Sequence, residues 1–212
     1  MKHAADRPLL GAATPMTTPE DMLRSRALLD RFFSRPANLP VSFTLDGKPV
    51  RGIPETWRPT AARRRIDANI VETVFEGQAP GIGLCVRVEC AEYLDYPVVE
   101  WVAWFTNKGP GPTPVIRDIL ALDGAFGGTS PVLHHCNGDF CSADGYTPSE
   151  TPLRAGDTLE FAPNGGRPCD GACPYYRLLF DGGGLSIAIG WPAQWAARCA
   201  GVADGAQVRA GQ

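Results

Sequence analysis

Apolar and polar residues alternate along most of the chain after residue 39, which is the pattern of half-buried β-strands. The strand patterns are VSFTLDGKPV, RRRIDANIVETVFE, GIGLCVRVECAEY, YPVVEWVAWFTNKG, TPVIRDILALDGAF, DTLEFAP, PYYRLLFD and LSIAIGW. Asp46 and Gly47 mark a hairpin inside the first pattern. Tight turns join the strands and no helical pattern separates them, so we expect an all-β, antiparallel sandwich.

The alternation also predicts which side chains face inward. In GIGLCVRVECAEY the inward set is Ile82, Leu84, Val86 and Val88. In RRRIDANIVETVFE, taken as a single strand, one face carries Ile66, Ala68, Ile70 and Val74. Cys85 and Cys90 lie in an apolar strand pattern, and we expect both to be small buried hydrophobic residues.

A helical pattern precedes the strands, in TPEDMLRSRALLDRFF. Thr18 is placed to cap the helix, and Pro19 suits its first position. The apolar stripe of this helix consists of Met22, Leu28, Leu29, Phe32 and Phe33. A free helix of this length is marginal in water, so we expect the stripe to dock on the sandwich, with a partner-binding helix as the alternative.

These patterns divide the chain into four parts. We expect a disordered leader at residues 1–17 and a helix with its linker at 18–38. A sandwich domain follows at 39–200, and then a tail or linker at 201–212. A chain of 212 residues can bury one sizeable core, which agrees with one domain and an appendage.

Composition limits the function classes. The net charge of -3 gives no electrostatic argument for nucleic acid or an anionic membrane, and nearby acids offset the triple arginine at 63–65. No apolar run reaches the length of a membrane span, and the N-terminus has no signal-peptide pattern, so we expect a cytoplasmic protein. The odd count of seven cysteines argues against a complete disulfide framework.

Residues 133–148, LHHCNGDFCSADGYTP, concentrate the side chains with chemistry. Four cysteines could hold a structural zinc, because four residues separate Cys136 from Cys141 and three separate Cys169 from Cys173. In an oxidising compartment, disulfides Cys136–Cys141 or Cys169–Cys173 are an equal alternative. His134 and His135 are adjacent, so on a strand they would point to opposite faces and only one could join a site.

A loop that holds a polar ligand is the other interpretation of the same segment. Asn, Asp, His and Tyr side chains offer directional donors or acceptors to hydroxyl groups. A sugar site usually adds a flat aromatic surface, and the tryptophans of GGGLSIAIGWPAQW could supply it, although core packing is the alternative for either one. The candidate substrate-binding residues are His134, Asn137, Asp139, Tyr146, Trp191 and Trp195.

Three segments carry a family resemblance. They are YPVVEWVAWFTNKGPGPTPVIRDILALD, LHHCNGDFCSADGYTP and NGGRPCDGACPYYRLLFDGGGLSIAIGWPAQW. They resemble the N-terminal β-sandwich of bacterial alpha-galactosidase-like glycoside hydrolases, family 36 and its relatives in clan D. The resemblance runs from about Leu39 to Trp195. It implies a galactose-mutarotase-like antiparallel β-supersandwich that precedes a (β/α)8 barrel.

In such enzymes two barrel aspartates act as nucleophile and acid/base in a retaining mechanism. A barrel takes about 250 residues, so the resemblance implies that the catalytic aspartates lie outside this sequence. The expected function is therefore a non-catalytic sandwich domain that packs on a catalytic barrel and lends its polar loop to a carbohydrate site. We expect no cofactor, no nucleic acid and no membrane partner, and self-association of the isolated domain. The alternatives are a free-standing carbohydrate-binding module and a metal-stabilised structural domain.

Overall fold

The computed structural model describes residues 17–139 and 141–211, so the leader predicted at 1–17 lies almost wholly outside the described residues. One α-helix, α1 (Pro19–Phe32), precedes fourteen strands in this part of the chain, and two short 3-10 helices lie at Pro36–Asn38 and Glu55–Trp57. The strands are β1 (Ser42–Leu45), β2 (Lys48–Arg51), β3 (Thr60–Arg65), β4 (Ile70–Gln78), β5 (Leu84–Tyr93), β6 (Val99–Asn107), β7 (Ile116–Gly127), β8 (Val132–Cys136), β9 (Pro148–Pro152), β10 (Thr158–Phe161), β11 (Tyr175–Phe180), β12 (Gly183–Ala188), β13 (Ala196–Val202) and β14 (Gly205–Gly211). The all-β class with an N-terminal helix is confirmed.

Three antiparallel sheets make up the sandwich. The large sheet has six strands in the order β10-β13-β14-β7-β1-β2. One four-stranded sheet has the order β3-β4-β5-β6, and the other has the order β12-β11-β8-β9. We call these the front sheet and the loop sheet, respectively.

Two hydrophobic cores hold the sheets together, and strands of the large sheet contribute to both. The first core packs the front sheet and α1 around Phe43 of β1, with Phe75 of β4 and Val86 of β5 almost fully buried. The second core packs the loop sheet against β7, β13 and β14, around Trp195 and Tyr176. The predicted inward set of β5 is confirmed for Leu84, Val86 and Val88, which are at most 1% exposed, and Cys85 and Cys90 are buried as predicted.

The hairpin predicted at Asp46-Gly47 joins β1 to β2, with Leu45 paired to Lys48. Both turn residues have positive φ, 49° at Asp46 and 75° at Gly47. That combination is the two-residue turn whose twist matches the flanking strands, and it explains the preference for Asp-Gly at this position.

Helix α1 begins where the sequence predicted. The Thr18 hydroxyl accepts a hydrogen bond from the Asp21 backbone N–H at 3.1 Å, and the Asp21 carboxylate in turn accepts one from the Thr18 backbone N–H at 3.1 Å. This reciprocal capping satisfies two backbone donors at the helix start. Phe32 is 5% exposed, and Phe33 and Leu29 also belong to the first core, so the helix docks on the sandwich as predicted.

The prediction of one continuous strand at 63–76 is wrong. Asp67 accepts hydrogen bonds from the backbone N–H groups of Asn69 and Ile70 at 2.7 and 2.8 Å, and this turn divides the segment into β3 and β4. Ile66 is 48% exposed, and the buried apolar side chains of β4 are Val71 and Phe75 rather than Ile70 and Val74. The turn at Asp67 shifts β4 by one residue relative to the predicted alternation. A one-residue shift exchanges the two faces of a strand, so the predicted inward residues lie on the other face.

The prediction of a tail or linker at 201–212 is also wrong. Strand β14 begins at Gly205 and lies between β13 and β7 in the large sheet, where Val208 pairs with Gly124 and with Cys199. Val208 is 1% exposed. Residues 205–211 are therefore an interior strand of the sandwich.

Candidate functional site

Two loops meet at one end of the loop sheet. The first loop, residues 137–147, closes the hairpin between β8 and β9, in which Cys136 pairs with Pro148. The second loop, residues 162–174, leads from β10 into β11, which runs antiparallel to β8. The end of β8 therefore lies beside the start of β11, and the topology brings the two loops together.

The Asn137 side chain is used inside the first loop. Its amide N–H donates to the carbonyl of Asp144 at 2.9 Å, and its amide oxygen accepts from the Thr147 backbone N–H at 2.8 Å. The Thr147 hydroxyl also donates to the Asp144 carbonyl, at 2.6 Å. These bonds close the loop on itself.

Asp139 connects the two loops through its backbone. Its N–H donates to the carbonyl of Cys169 at 2.7 Å, and its carboxylate accepts from the Cys141 backbone N–H at 2.7 Å. The backbone here is so close that a Cβ at Gly138 would lie 2.0 Å from the Cys169 carbonyl oxygen, and φ at Gly138 is 69°. Glycine at this position is therefore required for the contact between the loops.

The two histidines lie on β8 and have different surroundings. His134 Nδ1 lies 3.4 Å from a carboxylate oxygen of Glu150, at a half-buried position. His135 packs against Phe161 with ring centroids 4.9 Å apart, and its Nε2 lies 3.1 Å from the Thr151 hydroxyl. Burial lowers the pKa of His135, and the neighbouring His134 lowers it further.

Trp195 lies in the second core and is 1% exposed. Its indole N–H donates to the carbonyl of Pro168 at 2.7 Å, and Gln194 donates from its amide to the carbonyl of Pro163 at 2.7 Å. A ring buried in this way cannot present a face to a ligand, so the expected sugar contact of Trp195 is corrected to a structural role. Trp195 and Gln194 hold the second loop in place.

Exposed aromatic rings remain at this end of the loop sheet. Tyr146 is 54% exposed and Trp191 is 44% exposed. Tyr175, which the sequence pattern does not mark as a site residue, is 65% exposed and pairs with Ala188 at the end of β12. Because Trp191 follows shortly after Ala188, and the Ile189 N–H donates to the Pro174 carbonyl at 2.9 Å, all three rings lie at the loop end of the sheet.

Cysteine side chains also gather there. Burial raises the pKa of the Cys173 thiol to about 11, and the side chain of Cys136 contributes to the rise. The Tyr146 hydroxyl donates to the Cys169 sulfur at 3.8 Å, and this bond raises the pKa of Tyr146. Within residues 17–139 and 141–211, no group of three or more His, Cys, Asp or Glu side chains is arranged to hold a metal ion.

Comparisons with known proteins give a likeness of fold. No family model matches the sequence and no curated protein matches it. The GH36 alpha-galactosidase AgaB from Geobacillus stearothermophilus has a similar structure, with a TM-score of 0.59 and 15% sequence identity. The match covers 82% of this chain and 26% of the AgaB chain, so this chain spans about a quarter of the length of that enzyme. At 15% sequence identity, the comparison shows a shared fold alone.

The described residues contain no helix that is both long and apolar enough to cross a membrane.

Proposed function

We propose that this chain is a non-catalytic β-sandwich domain of an alpha-galactosidase-like glycoside hydrolase, which packs against a catalytic domain and borders its sugar site. The observation that carries the proposal is the structural match of 82% of this chain to 26% of an alpha-galactosidase. A sandwich of this size accounts for a minor part of such an enzyme. Catalysis by paired carboxylates would then belong to the partner domain.

The loop end of the sheet is the part that would border the sugar site. Tyr146, Tyr175 and Trp191 offer exposed rings against which the apolar face of a sugar can pack. Asn137 and Asp139 hold the first loop in shape, as their hydrogen bonds to loop backbone indicate. In this proposal the aromatic rings contact the sugar and the two polar side chains position them.

The front sheet offers a surface for the catalytic domain. Its edge strand β6 exposes Val102 and Trp104, which are 51% and 52% exposed, and the preceding turn exposes Tyr96 and Val98. Exposed apolar groups on an edge strand favour association with another surface. We assign this surface to the catalytic domain, because an alpha-galactosidase has three quarters of its chain outside the matched part.

The experiment that tests this assignment is sedimentation velocity of the purified chain over a range of concentrations. With its apolar surface uncovered, the chain should self-associate, and Val102→Lys should shift it toward monomer. Val202→Lys is the matched control, because Val202 is 41% exposed but lies at the end of β13 in the large sheet. A wild-type chain that stays monomeric at all concentrations would contradict the assignment of this surface.

A second measurement tests the non-catalytic part of the proposal. The chain should release no nitrophenol from nitrophenyl alpha-galactoside above a buffer control. Release that follows the protein through purification and disappears on heating would show that the chain carries its own catalytic groups.

A further inference from the structure

The structure brings together cysteines from the two separate Cys-containing motifs. Cys136 is the last residue of β8, and Cys173 lies just before β11. The backbone N–H of Cys173 donates to the carbonyl of Cys136 at 3.2 Å. With standard backbone bond lengths, this hydrogen bond keeps the two Cα atoms within about 7 Å of each other. Disulfides join Cα atoms that are about 4.4–6.8 Å apart, so the backbone here can accept a bridge with little movement.

The side chains meet as well as the backbones. Burial and a hydrogen bond with the Cys136 side chain together raise the pKa of the Cys173 thiol to about 11. Cys136 is half-buried and Cys173 is buried, so a reagent reaches Cys136 first.

The other two cysteines of these motifs have different neighbours. Cys169 accepts a hydrogen bond from the Tyr146 hydroxyl at 3.8 Å, and its carbonyl accepts from Asp139. Cys141 is exposed at a residue with φ of 56°. These hydrogen bonds therefore join the two motifs through Cys136 and Cys173, while the charge of Cys169 also acts on the Cys173 thiol.

We propose that Cys136 and Cys173 form a redox pair, and that a low-molecular-weight disulfide such as oxidised glutathione converts them into a disulfide that ties the first loop to the second. In the first step the Cys136 sulfur, as thiolate, attacks the glutathione disulfide. A mixed disulfide forms and one glutathione leaves as thiolate. In the second step the Cys173 thiol loses its proton to solvent and attacks the Cys136 sulfur, which expels the second glutathione.

The reaction is balanced in atoms and electrons. Two protein thiols are oxidised and one glutathione disulfide is reduced to two glutathione thiols. The second step needs the Cys173 thiolate, and the raised pKa of that thiol makes the thiolate scarce near neutral pH. The rate of bridge closure should therefore rise with pH, while the mixed disulfide accumulates at lower pH.

The test uses the full chain, incubated with oxidised glutathione or with dithiothreitol, then alkylated and digested with trypsin under non-reducing conditions. Arg154 separates the motifs, so the proposed bridge links the peptide holding Cys136 and Cys141 to the peptide holding Cys169 and Cys173. Mass spectrometry should find this linked pair after glutathione treatment and not after dithiothreitol.

Single serine variants show which two cysteines form the disulfide. The linked peptides should persist in Cys141→Ser and Cys169→Ser and disappear in Cys136→Ser and Cys173→Ser. Cys199→Ser is a matched control outside the motifs, because Cys199 is buried in β13. A bridge inside either peptide, four thiols that stay fully alkylated after oxidation, or one zinc ion per chain retained in native mass spectrometry would each overturn the proposal.

Discussion

The Asp123 carboxylate accepts a hydrogen bond from the Ser42 hydroxyl at 2.9 Å, which ties β7 to β1 inside the large sheet. Arg209, paired directly across the sheet on β14, approaches the same carboxylate at 3.3 Å, as does Arg51 from β2. Asp123 is only 7% exposed, so these partners replace the water that a carboxylate would otherwise bind. One acidic side chain thus connects four strands of the large sheet.

This arrangement predicts acid sensitivity of folding. Burial raises the pKa of Asp123, but hydrogen bonds from Ser42 and Arg209 and the charge of Arg51 outweigh it and hold the pKa below its ordinary value. A lowered pKa in the folded state means that the contribution to stability is present above the unfolded pKa of about 3.9. It is lost as the pH falls through the folded pKa.

Asp123→Asn should therefore lower the free energy of unfolding at neutral pH by about 1.5–3 kcal/mol, the range for hydrogen bonds to charged groups. The loss should shrink below about pH 4, where the wild-type carboxylate is itself protonated in the unfolded chain. Urea denaturation at a series of pH values measures both effects. Asp118→Asn on the same strand is the control, because Asp118 is exposed. An equal loss at every pH would mean that the charge of Asp123 is not the cause.

Docking of α1 predicts a large effect of truncating Phe32. Its ring packs against Phe126 with centroids 5.9 Å apart, and the residue is 5% exposed. Phe32→Ala should lower the free energy of unfolding by about 3 kcal/mol, the lower end for a buried aromatic residue. Leu23→Ala on the same helix is the control, since Leu23 is 70% exposed. Equal denaturation midpoints for wild type and Phe32→Ala would mean that the helix is loosely attached.

The environment of the Tyr176 hydroxyl indicates that removing this group should not destabilise the protein. The residue is 3% exposed, and within the described residues its hydroxyl has no hydrogen-bond partner. A buried hydroxyl without a partner costs about 1–3 kcal/mol, so Tyr176→Phe should leave the melting temperature unchanged or raise it. Tyr175→Phe serves as control, because the Tyr175 hydroxyl is on an exposed residue. A clear drop in melting temperature for Tyr176→Phe alone would show that the hydroxyl is bonded in solution.

Much of the fold could be predicted from the sequence, because alternation along β5 and the Asp46-Gly47 turn depend on local physics. The predictions failed where a side-chain hydrogen bond or close strand packing, rather than the local pattern, determined the structure. Asp67 divided an apparently continuous strand by capping its own backbone. The sequence of β14 is rich in small residues and therefore resembled a linker. Small residues are favoured in β14 because the neighbouring strands pack closely against it. A Cβ on Gly211 would lie 1.9 Å from the Ile119 carbonyl oxygen.

The loop at 133–148 could be recognised from the sequence, whereas the partners of its side chains could not. The sequence indicated a polar loop at 133–148, and the structure gives Asn137 and Asp139 bonds within and between the loops. Trp191 and Trp195 have the same chemistry in sequence, and tertiary packing alone decides that one is exposed and the other buried. Tyr175 was missed because it lies at the start of an ordinary strand pattern, where alternation does not reveal its neighbours.

An NMR titration of the chain with methyl alpha-galactoside tests sugar recognition at the loop end. We expect saturable shift changes in the first loop and around Tyr175 and Trp191, with the galactoside recovered intact. Trp191→Ala should weaken these changes, whereas Trp104→Ala on the front sheet should not. An absence of shift changes at the highest soluble sugar concentration, or changes confined to the front sheet, would show that the loop end does not bind the sugar.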